Sequence, residues 1–85
     1  MSHQPPSRAP APRLTRQRKL VLAILQESGE HLDAETIFQR ACARDHAISL
    51  ATVYRALAYL KRHGLIDESR LGEEHGHFEA RPASP

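Results

Sequence analysis

One stretch constrains this chain more than any other: Ile48-Ser49-Leu50-Ala51-Thr52-Val53-Tyr54-Arg55-Ala56-Leu57-Ala58-Tyr59-Leu60-Lys61-Arg62-His63-Gly64. It opens on Ser49, whose hydroxyl suits a helix N-cap. It closes on Gly64, which suits the left-handed residue after a helix. Wound at roughly 100° per residue, Leu50, Val53, Leu57 and Leu60 form one apolar stripe. The far side carries Ala51, Arg55, Ala58, Tyr59 and Arg62, with Thr52 and Tyr54 on the two flanks. A helix face that meets only water usually mixes long side chains of both charges. This face has no acid. Its alanines allow close approach to a surface, and its arginines and tyrosines supply charge and hydrogen bonds there. The pattern predicts a helix of about 22 Å, at 1.5 Å per residue, that lies in the major groove of DNA.

The segments before it supply the rest of a helix-turn-helix. Thr15 caps an expected helix to about Ser28, stopped by Gly29, with Val21, Ile24 and Leu25 on its inner face. Arg16, Gln17, Arg18 and Lys19 crowd its first turn. Cations at a helix N-terminus oppose the helix dipole by some tenths of a kcal/mol each, so local stability does not ask for them, whereas an anionic partner would. Gly29-Glu30-His31-Leu32 reads as a link, and Asp33 caps a helix over about 34–44. Ala34, Ile37, Phe38, Ala41 and Cys42 form its stripe. Cys42 reads as a small core residue. Asp45-His46-Ala47-Ile48 is the tight connection into the recognition helix.

After Gly64, Leu65–Leu71 reads as a strand, 72–76 as a turn, and His77–Ala80 as a second strand. Such a hairpin is the wing of a winged helix, and it must pack on the helices to be stable. The predicted fold is mainly α with a small β-hairpin: a winged helix-turn-helix DNA-binding domain over residues 13–81. Residues 1–12, with Pro5, Pro6, Pro10 and Pro12, read as a disordered basic, Pro-rich arm. Residues 82–85 read as the start of a linker.

Charge and cysteine usage narrow the function. With 85 residues and a net charge of +2, one modest core is expected, and the distribution of charge matters more than its sum. Residues 1–20 hold Arg8, Arg13, Arg16, Arg18 and Lys19 and no acid. Residues 64–80 hold Asp67, Glu68, Glu73, Glu74 and Glu79 against Arg70 alone. A single cysteine allows neither an internal disulfide nor a CxxC zinc site, which fits a reduced, cytoplasmic setting. No apolar run is long enough to cross a membrane, and no signal peptide is present. No phosphate loop, nucleophile elbow or Cys/His arrangement points to an enzyme. Among six histidines, His75 and His77 would share a strand face with Glu79, a weak metal signal by spacing alone.

Four stretches together resemble the DNA-binding half of the ferric uptake regulator family of bacterial metalloregulators. They are Leu14-Thr15-Arg16-Gln17-Arg18, His31-Leu32-Asp33-Ala34-Glu35, Ile48–Leu57, and Gly64-Leu65-Ile66 followed by His77-Phe78-Glu79. The resemblance covers roughly residues 13–80. It implies a winged helix joined to a C-terminal dimerisation domain that this chain lacks. It also implies a metal-responsive repressor that binds A/T-rich inverted repeats of double-stranded DNA as a homodimer.

By that resemblance Tyr54 and Arg55 touch base and phosphate, and Ser49, Ala51 and Thr52 form the first turn of the reading helix. Arg13 reaches the minor groove, and Arg18 holds phosphate beside Arg16. His31 and Glu79 are the two ligands that this half contributes to a regulatory Fe²⁺ or Zn²⁺ site, incomplete in this chain and therefore weak. Glu79, where the peroxide-sensing branch usually has Asp, argues weakly against that branch. Two other readings stay open at this point: a winged-helix protein-interaction module, and a small metal-binding protein using the wing histidines.

Overall fold

The computed structural model describes residues 13–70 and 76–82. The expected arm 1–12, His75 with most of the wing turn, and the end of the expected linker, 83–85, lie outside the described residues.

Three helices are delimited by the punctuation in the sequence. Helix α1 spans Arg16–Ser28, capped by Thr15, whose hydroxyl accepts from the Arg18 amide at 3.4 Å. Gly29 ends it at φ 67°, a left-handed conformation that costs an L side chain and suits glycine. Helix α2 spans Ala34–Arg44, and Asp33 caps it by accepting from the Thr36 amide at 2.9 Å. Helix α3 spans Leu50–Arg62, and the Ser49 hydroxyl accepts from the Thr52 amide at 3.1 Å. Each such cap is worth roughly 1 kcal/mol. His63 forms the C-cap, and Gly64 turns the chain into the sheet at φ 75°.

The core lies where the three helices meet the sheet. Val21, Ile24 and Leu25 of α1, Ile37 and Ala41 of α2, and Val53, Ala56, Leu57 and Leu60 of α3 are all buried. On α3 the buried face is rotated from the expected one. Ala56 is buried and Leu50 only half-buried, because α1 packs along the Ala56 side.

The sheet departs from the expected hairpin. It has three antiparallel strands in the order β1-β3-β2: β1 is Leu32–Asp33, β2 is Ile66–Ser69 and β3 is His77–Ala80. Leu32, expected in a link, is opposite Phe78, and both side chains are buried. Pairing β1 with β3 gives the wing a third strand and ties it to the start of α2, so the ribbon does not stand alone. Strand β2 is shorter than the expected 65–71. Arg81 closes the hairpin's open end: its amide donates to the Leu65 carbonyl at 3.0 Å, and its guanidinium lies 3.2 Å from Asp67. On the recognition-helix side of the sheet, Glu68 takes Lys61 at 2.7 Å and Arg70 at 3.3 Å. The hydrogen bond from Lys61 is the main reason that the Glu68 carboxyl titrates below its ordinary value, with Arg70 adding to it against the cost of partial burial.

Candidate functional site

The first turns of α1 and α3 meet at an open cavity of about 270 Å³. Thr15, Gln17 and Arg18 line it from α1 and its cap, and Thr52, Arg55 and Ala56 line it from α3. No acid is among these residues. Two arginines from different helices and two threonines therefore border the same space, near the N-terminal ends of both helices. That is an anion-accepting arrangement.

The side chains around this junction are held in place. The Ser49 hydroxyl donates to Thr52 Oγ1 at 2.9 Å, and Arg55 Nη2 donates to the same oxygen at 3.1 Å. A tethered guanidinium loses less freedom on meeting an anion than a loose one. Arg18 lies with its Cζ 3.6 Å from the centroid of the Tyr59 ring, and its Nη1 donates to the Arg13 carbonyl at 2.8 Å. The Arg13 amide in turn donates to the Tyr59 hydroxyl.

The residues singled out from the sequence divide into two groups in space. Arg13, Arg16, Ser49, Ala51 and Arg55 are exposed, and Arg18 and Thr52 are half-buried; Arg18, Thr52 and Arg55 line the α1–α3 junction, Arg13 and Ser49 bond to its residues, and Arg16 and Ala51 are their neighbours in the first turns of the two helices. Tyr54 is the one large hydrophobic side chain exposed among the described residues, at 51%. It stands on the other flank of α3, at a hollow of about 280 Å³ shared with Asp33, Glu35, Glu68, Arg70 and Phe78. Tyr59, expected on the open outer face, is half-buried instead and committed to Arg13 and Arg18. A helical wheel of α3 cannot show this, because the contact comes from α1.

His31 and Glu79 form the second group, where the chain entering β1 runs beside the central strand β3. The β1–β3 register sets Leu32 against Phe78, so the residue before Leu32 falls opposite the residue after Phe78. His31 Nε2 and Glu79 Oε1 are 3.2 Å apart, with both side chains about half exposed. Two donors on a tetrahedral zinc ion, each at about 2.0–2.2 Å, are separated by about 3.3–3.6 Å. An imidazole nitrogen and a carboxylate oxygen at this spacing therefore suit a divalent metal. Among the described residues no group of three or more His, Cys, Asp or Glu side chains is placed to hold one.

Residues 11–85 match the model of the ferric uptake regulator family. A ferric uptake regulation protein of Synechocystis is 44% identical over 75 residues, covering 86% of this chain and 46% of the relative. Among solved structures, a manganese uptake regulator superposes with a TM-score of 0.75 at 30% identity, over 85% of this chain and 53% of that one. The Helicobacter pylori ferric uptake regulator, described as having three functional metal-binding sites, superposes with a TM-score of 0.72 at 29% identity. That match covers 76% of this chain and 44% of that one. The chain thus spans about half the length of the curated relatives it matches. With three capped helices, a three-stranded wing sheet and these matches in agreement, the chain belongs to the ferric uptake regulator family.

Proposed function

We propose that this chain is the DNA-reading half of a metal-responsive transcriptional repressor, with residues 13–81 as the reading unit. It is a binding module of the bacterial cytoplasm rather than an enzyme, and it acts on A/T-rich inverted repeats as a homodimer joined through a domain outside this chain. The observation that carries the reading is the acid-free cavity where Arg18 and Arg55 converge from two helices.

In this reading Arg13, Arg16 and Arg18 hold backbone phosphates and set the register of the protein on the duplex. Helix α3 enters the major groove. Arg55 and Tyr54 reach base edges or phosphate, and the methyl groups of Ala51 and Thr52 pack on thymine methyls, which suits A/T-rich DNA. Ser49 serves through its cap and through its bond to Thr52. His31 and Glu79 hold one side of a regulatory Fe²⁺ or Zn²⁺ ion. The similar regulators named for manganese add Mn²⁺ to the candidates. A bound divalent ion would supply a Lewis-acidic centre at which these two side chains and donors from outside this half could be held together. From this half alone, His31 offers an imidazole lone pair and Glu79 a carboxylate to the same point.

The test is a titration of the chain, followed by fluorescence anisotropy, with an A/T-rich inverted-repeat duplex and a scrambled duplex at two salt concentrations. Binding that weakens steeply with salt and favours the repeat is expected. A single module makes few phosphate contacts, so non-specific affinity on the order of 10⁻⁴–10⁻⁶ M is expected at physiological salt. Equal, salt-independent failure on both duplexes would sink the reading. It would turn attention to the hollow beside Tyr54, where an exposed aromatic ring and the exposed Glu35 suit a protein partner better than DNA.

A further inference from the structure

We propose that Tyr59 is a positioning residue for DNA binding: it locks the basic root of the N-terminal segment, Arg13 and Arg18, to the recognition helix. The inference rests on the DNA-binding reading and adds to it a residue outside the contact surface.

Three contacts close a ring around this side chain. The Arg18 Cζ lies over the Tyr59 ring at 3.6 Å from its centroid, Arg18 Nη1 donates to the Arg13 carbonyl at 2.8 Å, and the Arg13 amide donates to the Tyr59 hydroxyl. The members come from the chain before α1, the first turn of α1 and the last part of α3. Arg13 and Tyr59 are 46 residues apart in sequence. The Tyr59 ring also meets His63, with centroids 4.3 Å apart and the planes tilted by 40°, a second contact that restrains it.

The chemistry of the guanidinium makes this useful. An unsupported arginine in a first helical turn samples many rotamers, and the helix dipole repels it. A π face beneath it favours one placement and offsets that repulsion. The planar group carries five N–H donors, and the Arg13 carbonyl uses one at this junction. The rest of its edge stays available to an anion at the cavity between α1 and α3. The Tyr59 hydroxyl, by holding the Arg13 amide, fixes where the chain before α1 leaves the surface relative to α3.

The test uses the 85-residue chain with Tyr59→Leu and Tyr59→Phe, an A/T-rich inverted-repeat duplex, and thermal melts to confirm folding. Tyr59→Leu is expected to bind about 5- to 10-fold more weakly and to flatten the log–log salt slope by about one unit, the signature of one lost phosphate contact. Tyr59→Phe keeps the π face, so it should recover the slope and stay within about 2-fold in affinity, while its Arg13 amide loses protection from hydrogen exchange. In the free protein the Arg18 Nε–H resonance should sit upfield from the ring current and move downfield in Tyr59→Leu. Wild-type affinity and slope in Tyr59→Leu, or an Arg18 resonance that does not move, overturns the positioning role while wild-type binding leaves the DNA reading intact. A wild type that does not bind the duplex at either salt concentration used for the slope overturns both. Should Tyr59→Leu not fold, Tyr59→Phe decides: unchanged protection at Arg13 overturns the inference.

Discussion

Arg18 and Glu79 are both charged side chains that reach across to another part of the chain, but they are held in opposite ways. Arg18 lies over an aromatic ring, bonded to a carbonyl and facing a cavity that a second arginine shares. Glu79, on the central strand of the three-stranded sheet, meets His31 just beyond the two-residue β1–β3 pairing, with both partners about half exposed. The junction of α1 and α3 is supplied wholly by this chain. The β1–β3 register brings two donors together, and no group of three or more forms among the described residues. A surface that reads a polyanion needs only several tethered cations on one face, which one small domain can provide. A metal site needs a closed set of donors, and closing it around an exposed edge calls for atoms from elsewhere.

That contrast can be tested by breaking each side in turn. The largest expected effect is on the sheet. Phe78 of β3 is buried and opposite Leu32, so Phe78→Ala should cost roughly 3–5 kcal/mol of stability in a urea melt. It should also release the β1–β3 pairing that sets His31 beside Glu79. Next is Arg55→Ala, which should weaken binding to the A/T-rich duplex by roughly 1–3 kcal/mol if Arg55 makes a bidentate base contact, and by less if it holds phosphate. Arg55 is exposed, so the melting temperature should barely change, and a large fall in it would refute the assignment.

A smaller effect is expected at Glu68, which joins the sheet to the recognition helix through Lys61. Its carboxyl titrates below the ordinary value of 4.5 in the folded protein. The contribution is therefore present above the unfolded value and lost as pH falls through the lowered folded value. Glu68→Gln should cost about 1 kcal/mol or less at neutral pH and should reduce the acid sensitivity of the melt below about pH 4.5. The smallest effect is expected from metal. Zinc added to this chain should raise the melting temperature little, and a chelator should leave it unchanged, because two donors bind weakly. His31→Ala should abolish what shift there is. A large zinc stabilisation that survives His31→Ala would show that other residues hold the metal.

Much of this molecule could be read from the chain in order. Thr15, Asp33, Ser49 and the two left-handed glycines delimit the helices because capping is a local matter of one side chain and the next few amides. Strand β1 could not be read that way. Two residues carry no alternation, and Leu32–Asp33 is a strand only because β3 lies beside it. The position of Tyr59 was equally out of reach. Its helical phase marks it as outward-facing, and the surface it meets belongs to residues more than 40 positions earlier.

The sequence by itself determined the three helices, their apolar faces, the basic first turn and the residue types at each site, since these depend on spacing and on bonds within a few residues. Only the tertiary structure decided which of those residues work together. It set Arg18 and Arg55 around one cavity, turned Tyr59 from a contact residue into a support, and paired β1 with β3 so that His31 faces Glu79. The physical reason is the same in each case. Distances between residues far apart in the chain are fixed by how the apolar faces pack and how the strands register, and no local pattern encodes them.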